Sequence, residues 1–450
     1  MLEPLYTADE MRAAEERYPG YPESVPDLMD RAGRAVAAEV ATRYPNAQFV
    51  AAVCGGGSNG GDGRIAAEIL EGMGRDTRIV GPGEKLPPSD VVIDALFGTG
   101  FHGAPRPEAA ALIDAVNAAG RPVVAVDVPS GVDASTGEIA GAAVRAHVTV
   151  AMHAAKVGLC VAPGRFHAAE VVTADIGLEH VETSARLVTR RVLELVPRRR
   201  AGDNKYTAGS VLVVGGAPGM TGAACLACEA ALRADAGYVA VCAPRESLPV
   251  IETRLLEPVK RPLEDVFDAV GRAGALALGP GLGRDRKELV RRLLEEVDRP
   301  AVVDADALFE LEPFERDAST VLTPHSGELG RLIGRESTWV DAHRLEALRL
   351  AVERYRCVVL LKGADTLIGA PGEGVLVRGV DTPALATAGT GDVLTGVIAA
   401  FLAKGLDGRL AAAAGAVVHG LAAARAPYQT GLVASDVVAG LPAALEDASV

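Results

Sequence analysis

The sequence predicts an α/β protein made of two doubly wound domains in series. Three observations carry that expectation. Short runs of Val, Ile, Leu and Ala recur between longer Ala-rich stretches, and runs of that length suit strands buried on both faces of a parallel sheet. Several runs end directly in Gly-rich or polar loops, where open α/β sheets place their sites. The alternation stops once, at residues 180–207, and then restarts. At 450 residues the chain is too long for one ordinary core, so the interruption is read as the boundary between domains over residues 1–183 and 184–450.

Taken in order, residues 7–44 read as two helices anchored by Met11, Leu28, Met29, Val36 and Val40. Strands are expected over 49–53, 77–80, 91–94, 123–128 and 148–152, with a helix over 64–71. Residues 197–204, with Arg198, Arg199 and Arg200, are charged, lack apolar periodicity and read as a linker. Beyond them strands are expected over 211–214, 239–242, 275–278, 301–303, 321–322, 358–361 and 367–368. Helices are expected over 221–236, 392–403 and 409–425, the last as a packing helix without chemistry.

Composition narrows the function. With 49% hydrophobic and 23% charged residues the chain is globular. A net charge of -14 argues against nucleic acid or an anionic membrane as partner. Cys225 and Cys228 have CxxC spacing, but no second Cys or His pair completes a zinc site, so the six cysteines read as buried and reduced. The start of the chain lacks the basic and apolar regions of a signal peptide, and no apolar run reaches bilayer length. A cytoplasmic protein is expected. Ala-rich helices able to pack on one another point to a homo-oligomer.

Two constellations carry chemistry. In the first half, Cys54-Gly-Gly-Gly57-Ser58-Asn59-Gly60-Gly61-Asp62-Gly63 leaves a strand, and its glycines let a ligand approach the backbone. Two further strands end in Asp94-Ala-Leu-Phe-Gly98-Thr99-Gly100 and Asp127-Val-Pro-Ser130-Gly131. Asn59, Asp94, Asp127 and Ser130 thus meet at one sheet edge. They offer only oxygen donors, which favours K⁺, Mg²⁺ or Ca²⁺ over zinc. In the second half, Gly389-Thr390-Gly391-Asp392 opens a helix. Unpaired amides there bind anions. A carboxylate in that place suits removal of a proton from a hydroxyl attacking phosphorus.

The first half resembles the NAD(P)H-hydrate epimerase family in three segments, its Asn-Asn-Gly-Gly-Asp-Gly, Asp-Ala-Leu-Phe-Gly-Thr-Gly and Asp-Ile-Pro-Ser-Gly hallmarks. Thr7–Met11 and Leu28–Gly33 extend the match over about residues 5–180, with Ser58 standing where the family usually has Asn. The resemblance implies a Rossmann-like domain in which Asn59, Asp94 and Ser130 coordinate K⁺. It also implies that Ser58, Asn59, Gly60, Gly61 and Asp62 hold the hydrated nucleotide. Gly98, Thr99, Gly100, Phe101, His102, Gly103, Ala104 and Asp127 would do so as well. The reacting carbon carries a hydroxyl and a ring nitrogen, so its epimers interconvert when one substituent leaves and returns, which takes a proton donor and acceptor. Asp127 is assigned that work. Lys156 is either its partner, a phosphate contact or a surface lysine.

The second half is similar to the ADP-dependent NAD(P)H-hydrate dehydratase family, within the ribokinase-like fold. The similarity rests on Val214-Gly215-Gly216, Gly279-Pro280-Gly281-Leu282-Gly283, Thr323-Pro324-His325-Ser-Gly327-Glu328, Lys362-Gly363-Ala364-Asp365-Thr366 and Gly389–Asp392. It implies that Ala223, Gly283, His325 and Asp392 contact the hydrate, and that Lys362, Gly363, Ala364, Asp365, Thr366 and Gly391 contact the nucleotide. Asp392 would be the base for phosphoryl transfer from ADP, and Glu328 a Mg²⁺ ligand or water-holder. Asp304 and Asp306 read as turn and sheet-edge residues. Together the halves imply repair of hydrated NADH and NADPH. The alternative is a small-molecule kinase with a nucleotide-binding scaffold half.

Overall fold

The computed structural model describes residues 1–379 and 382–447. The chain divides into two compact units. One holds Pro4–Arg186 with Asp341–His343; the other holds Met1–Glu3, Leu187–Val340 and Arg344–Val450.

The first unit carries a parallel sheet ordered Asp76–Val80, Phe49–Cys54, Val91–Ala95, Val123–Val126, Val148–Met152, Glu170–Ala174. Side chains along a strand alternate between faces. Val50, Ala52 and Cys54 accordingly join the core under helices Ala8–Glu16, Val25–Arg43 and Ser58–Gly72. Ala51 and Val53 join the opposite core with Leu112 and Ile113 of the helix Pro107–Ala118. Both faces of the central strands are covered, which is why Phe49–Cys54 and Val123–Val126 read as unbroken apolar runs.

In the second unit Ser210–Val214 pairs in parallel with Tyr238–Ala243 on one side and Ala275–Leu278 on the other. Ala301–Val303, Thr320–Leu322 and Val358–Leu361 follow in parallel. Asp365–Gly369 and Val375–Gly379 then continue the sheet antiparallel. Val211 and Val213 face a core of small side chains from helices Thr221–Arg233, Thr390–Ala403, Gly408–Ala424 and Ala434–Glu446. The Ala-rich helices therefore spend their packing faces on one another inside the unit, and that face does not serve as the argument for an oligomer.

Several expected boundaries move. The first glycine loop is already helical, since its helix begins at Ser58 and not at Arg64. The strand before Asp127 stops at Val126, because Asp127 turns into the left-handed region with φ 65°. The interruption at residues 180–207 contains, ahead of the expected linker, a strand, Ala185–Val188, and a 3-10 turn, Arg190–Leu195, that buries Val192 and Leu193. Strands Leu2–Leu5, Glu170–Ala174 and Val259–Pro262 lack a continuous apolar run of three and escape a search for one; Val375–Gly379 carries Val375-Leu376-Val377 and was missed all the same. Among the described residues no helix is long and apolar enough to cross a membrane.

Candidate active sites

In the first unit strand order reverses between Phe49–Cys54 and Val91–Ala95, the point where open parallel sheets leave a crevice for ligands. Register places Val53 beside Asp94, and Asp94 beside Ala125. The loops that follow these strands are therefore neighbours. A cavity of about 550 Å³ opens there. Of the predicted residues Ser58, Asn59, Asp62, Gly98, Thr99, Gly100, Phe101 and Asp127 line it. Gly60 and Gly61 lie in the helix, off the cavity wall, as do His102, Gly103 and Ala104 in their loop. Gly60 serves close packing, because a Cβ there would meet the Gly55 carbonyl oxygen at 2.1 Å. His102 Nδ1 pairs with Asp133 Oδ2 at 2.7 Å.

Asn59, Asp94 and Ser130 converge on one short segment. Ser130 donates its amide to Asp94 Oδ2 at 2.8 Å and its hydroxyl to Oδ1 at 2.6 Å. Its Oγ also accepts the Phe97 amide at 2.9 Å, and Asn59 Nδ2 donates to the Phe97 carbonyl at 2.8 Å. Burial pushes Asp94 up to about 6, against hydrogen bonds from Ser130 and the Leu96 amide that lower it. A buried carboxylate served by neutral donors, with amide and hydroxyl oxygens nearby, fits a weakly charged hard cation.

Asp127 Oδ1 accepts the Met152 amide at 3.0 Å and the Lys156 ammonium. Lys156 Nζ also donates to the Met152 carbonyl at 2.6 Å and is fully buried. Of the readings open for Lys156, the surface lysine is corrected: it is the partner of Asp127. Two more carboxyls share the cavity. Asp62 is pushed up to about 8 by burial and then by the charges of Asp127 and Glu15. Glu15 is raised by burial and Asp127. Glu15 lies in the helix Ala8–Glu16 beyond the matched Thr7–Met11 segment, so nothing in the sequence marked it.

In the second unit the reversal falls between Ser210–Val214 and Ala275–Leu278. The two following loops interlock: the Gly216 amide donates to the Pro280 carbonyl at 3.0 Å, and the Ala217 amide to that of Gly281 at 2.7 Å. This brings Ala223 to Gly281, where a Cβ would lie 3.2 Å from that of Ala223. Gly283 follows with φ 88° and gives its amide to Asp306 Oδ2 at 2.9 Å. Asp306 is thus the turn residue expected of it.

Three more loops complete the edge. His325 Nδ1 caps its own helix by accepting the Gly327 amide at 3.0 Å. Glu328 closes the capping box by accepting the His325 amide at 2.9 Å. The imidazole stays more than half exposed. Lys362 ties in through its amide to the Pro324 carbonyl at 2.9 Å. Gly363, Ala364 and Thr366 are open to solvent to some degree, whereas the Asp365 side chain is buried against Arg344 Nε at 2.6 Å. Gly389 caps the helix Thr390–Ala403 with φ 91°, a conformation costly for any residue with a Cβ. Its helix starts at Thr390, which sets Gly391 and Asp392 in the first turn among the free amides.

Burial pushes Asp392 up to about 7; Asp304 raises it further, Lys362 opposes, and Asp306 and Glu328 add to the rise. Burial disfavours the Lys362 ammonium, but Asp304, Glu328 and Asp392 outweigh that and leave its pKa above the ordinary value. Asp304 lies in the turn at the sheet edge, as expected, but does more than shape that turn: it is buried, accepts Lys362 Nζ at 2.7 Å on Oδ1, and accepts the Thr395 hydroxyl at 2.7 Å on Oδ2. Among the described residues no cluster of three His, Cys, Asp or Glu is arranged to hold a metal. Mg²⁺ commonly relies on nucleotide oxygens and water, which such an edge accommodates.

Comparison with known proteins fits this geometry. A family model described as NAD(P)H-hydrate dehydratase matches residues 211–440, and one described as YjeF-related protein N-terminus matches 25–87 and 78–158. The bifunctional NAD(P)H-hydrate repair enzyme Nnr of Moorella thermoacetica is 36% identical, over 93% of this chain and 92% of that protein. The chain belongs to the bifunctional NAD(P)H-hydrate repair enzymes. Among solved structures, an ADP/ATP-dependent NAD(P)H-hydrate dehydratase of Bacillus subtilis, co-crystallised with ATP and Mg²⁺, is 28% identical. It aligns over 58% of this chain and 98% of its own with TM-score 0.54. A ribokinase-like superfamily protein of Enterococcus faecalis, 22% identical, aligns over 60% and 98% with TM-score 0.53 and shows the same fold. Family membership and the ribokinase-like second unit are as the sequence led one to expect.

Proposed function

We propose that this repair enzyme interconverts the R and S epimers of hydrated NADH and NADPH in its first unit. In its second unit it dehydrates the S form with ADP, giving AMP and phosphate. The observation that carries the second activity is the placement of Asp392. It sits half-buried in the first turn of a helix, among anion-binding amides, with a pKa near neutrality where a general base is effective. Asp392 accepts the proton of the C6 hydroxyl as that oxygen attacks the terminal phosphorus of ADP. The amides at the helix opening and the Lys362 ammonium meet the charge on the transferring group. Phosphate then departs from C6, and loss of a proton from the neighbouring ring carbon restores the double bond. His325 and the close-packed Ala223 and Gly283 loops hold the nicotinamide end. Mg²⁺ would neutralise nucleotide oxygens when bound, with Glu328 holding one of its waters.

In the first unit Asp127 and Asp62 form the proton-moving pair. Asp62 keeps its proton at neutral pH and Asp127, paired with Lys156, accepts one. Asn59, Asp94 and Ser130 would hold K⁺, which would fix the Phe97–Phe101 segment against the nucleotide. The cytoplasm suits six cysteines that form no disulfide. The test is an assay on a mixture of both epimers with ADP, ATP or neither, reading the return of reduced-nicotinamide absorbance. Complete, nucleotide-dependent recovery, faster than spontaneous epimerisation allows, is expected. Recovery that halts at the S fraction removes the epimerase reading, and no recovery with either nucleotide removes both.

A further inference from the structure

The strand Ala301–Val303 ends in a tight turn, Asp304 followed by Ala305 at φ 52°. The turn buries a carboxylate at the sheet edge, which costs free energy unless every acceptor is used. Both are: Oδ1 takes the Lys362 ammonium and Oδ2 the hydroxyl of Thr395, itself fully buried. Thr395 lies one turn beyond Asp392 on the same helix, so the two share a face. Asp304 therefore ties three elements together: a strand end, the nucleotide loop and the Asp392 helix. A Cβ placed on Gly391 would be 3.3 Å from Lys362 Nζ and 3.7 Å from Asp304 Oδ2. The pair thus sits directly on the helix opening.

The charge balance shows why this matters. Asp304, Asp306 and Glu328 all act on Asp392 as like charges, and Lys362 is the cation that opposes them. His419, held neutral by burial near the Thr390 backbone, adds no charge. A lysine free to choose would bond Asp392, tying up the base and leaving the phosphoryl group without its cation. We infer that Asp304 is a positioning residue for phosphoryl transfer: it holds the Lys362 ammonium beside Gly391 and keeps it from pairing with Asp392. The inference rests on the dehydratase reading of this site.

The test is Asp304→Asn in the full chain, with dehydration followed across the neutral pH range. Released Lys362 turns to Asp392. The acid limb of the rate profile should then move down by about one pH unit or more. The maximal rate should fall about tenfold or more, with KM for the hydrate changing less than about threefold. A merely structural Asp304 would lower the melting temperature and leave the limb in place, which overturns the inference. Thr395→Val and Thr395→Ser decide the matter if Asp304→Asn does not fold. A kcat loss in the valine variant at unchanged KM, restored by serine, supports the inference; a valine variant equal to the parent overturns it. A parent chain inactive on the hydrate with ADP would sink the dehydratase reading itself. An active parent beside an unmoved limb sinks this inference alone.

Discussion

Both units set a lysine and aspartates at the carboxyl edge of a parallel sheet, but they wire them differently. In the first, Lys156 bonds Asp127, the proposed proton acceptor, and the group left holding a proton is Asp62. In the second, Lys362 bonds Asp304, a neighbour, and Asp392 itself is left to rise toward neutrality. The chemistry explains the difference. Epimerisation needs an acid and a base at once, so two carboxyls must stand in opposite protonation states. Phosphoryl transfer to a hydroxyl needs one base and a cation aimed at phosphorus, so the cation is held off the base.

The largest expected effects break this comparison at its centres. Asp392→Asn should lower dehydration about 10²- to 10⁴-fold and leave epimerisation intact, and Asp127→Asn should do the reverse. Exchange between the epimers and nucleotide-dependent recovery of the reduced cofactor are the two readouts. A variant that loses both activities would show that the substitution acts on folding and not on one site. Next comes Lys156→Met, which leaves Asp127 without its buried partner and should cost about 3–5 kcal/mol. Asp127→Asn combined with Lys156→Met should regain most of that loss in denaturant unfolding. If the double variant is no more stable than Lys156→Met, the pair is not what anchors this edge.

Much of this was legible in the chain. Val91–Ile93 and Ala301–Val303 are unbroken apolar runs, so their strands and the loops after them could be placed. Gly389–Asp392 announced its helix opening because glycine, threonine and aspartate there have few other uses. Asp304 and Glu15 were illegible for a different reason. Their roles depend on which distant side chain each one faces, Lys362 and Thr395 for Asp304, Asp127 for Glu15, and spacing along the chain carries none of that. Lys156 was half legible: its segment was noticed, yet burial of a lysine cannot be read from neighbours such as Ala154 and Val157. The helix start at Ser58 was missed because glycines are poor helix formers, and packing against Gly55 overrides the preference.

The protonation contrast yields a smaller effect on stability. Folded Asp392 keeps its proton to about 7, while the unfolded chain releases it near 3.8. Between those values the folded state binds the extra proton, so stability falls as pH rises through that window and stays lower above it. Asp392→Asn should therefore melt higher than the parent above neutrality and match it in acid, by about 2–4 °C for each kcal/mol recovered. Asp62→Asn should behave likewise, with its window reaching about 8. Equal melting temperatures at alkaline pH would mean that neither carboxyl is held against its ordinary pKa.

The smallest effect concerns Ser58, exposed on the cavity wall where the family usually carries Asn. Ser58 opens the helix Ser58–Gly72 after its N-cap Gly57, which has no side chain to offer the free amides. The hydroxyl can still donate and accept toward a ligand, but its reach is shorter than that of an amide. Ser58→Asn should therefore change KM for the hydrate by a few-fold, on the order of one hydrogen bond or about 1 kcal/mol, and leave kcat for epimerisation unchanged. Asp62, one helical turn further on, faces the same cavity. A change in kcat would mean that the asparagine reaches Asp62 and alters the proton donor, and the two residues would then have to be treated as one unit.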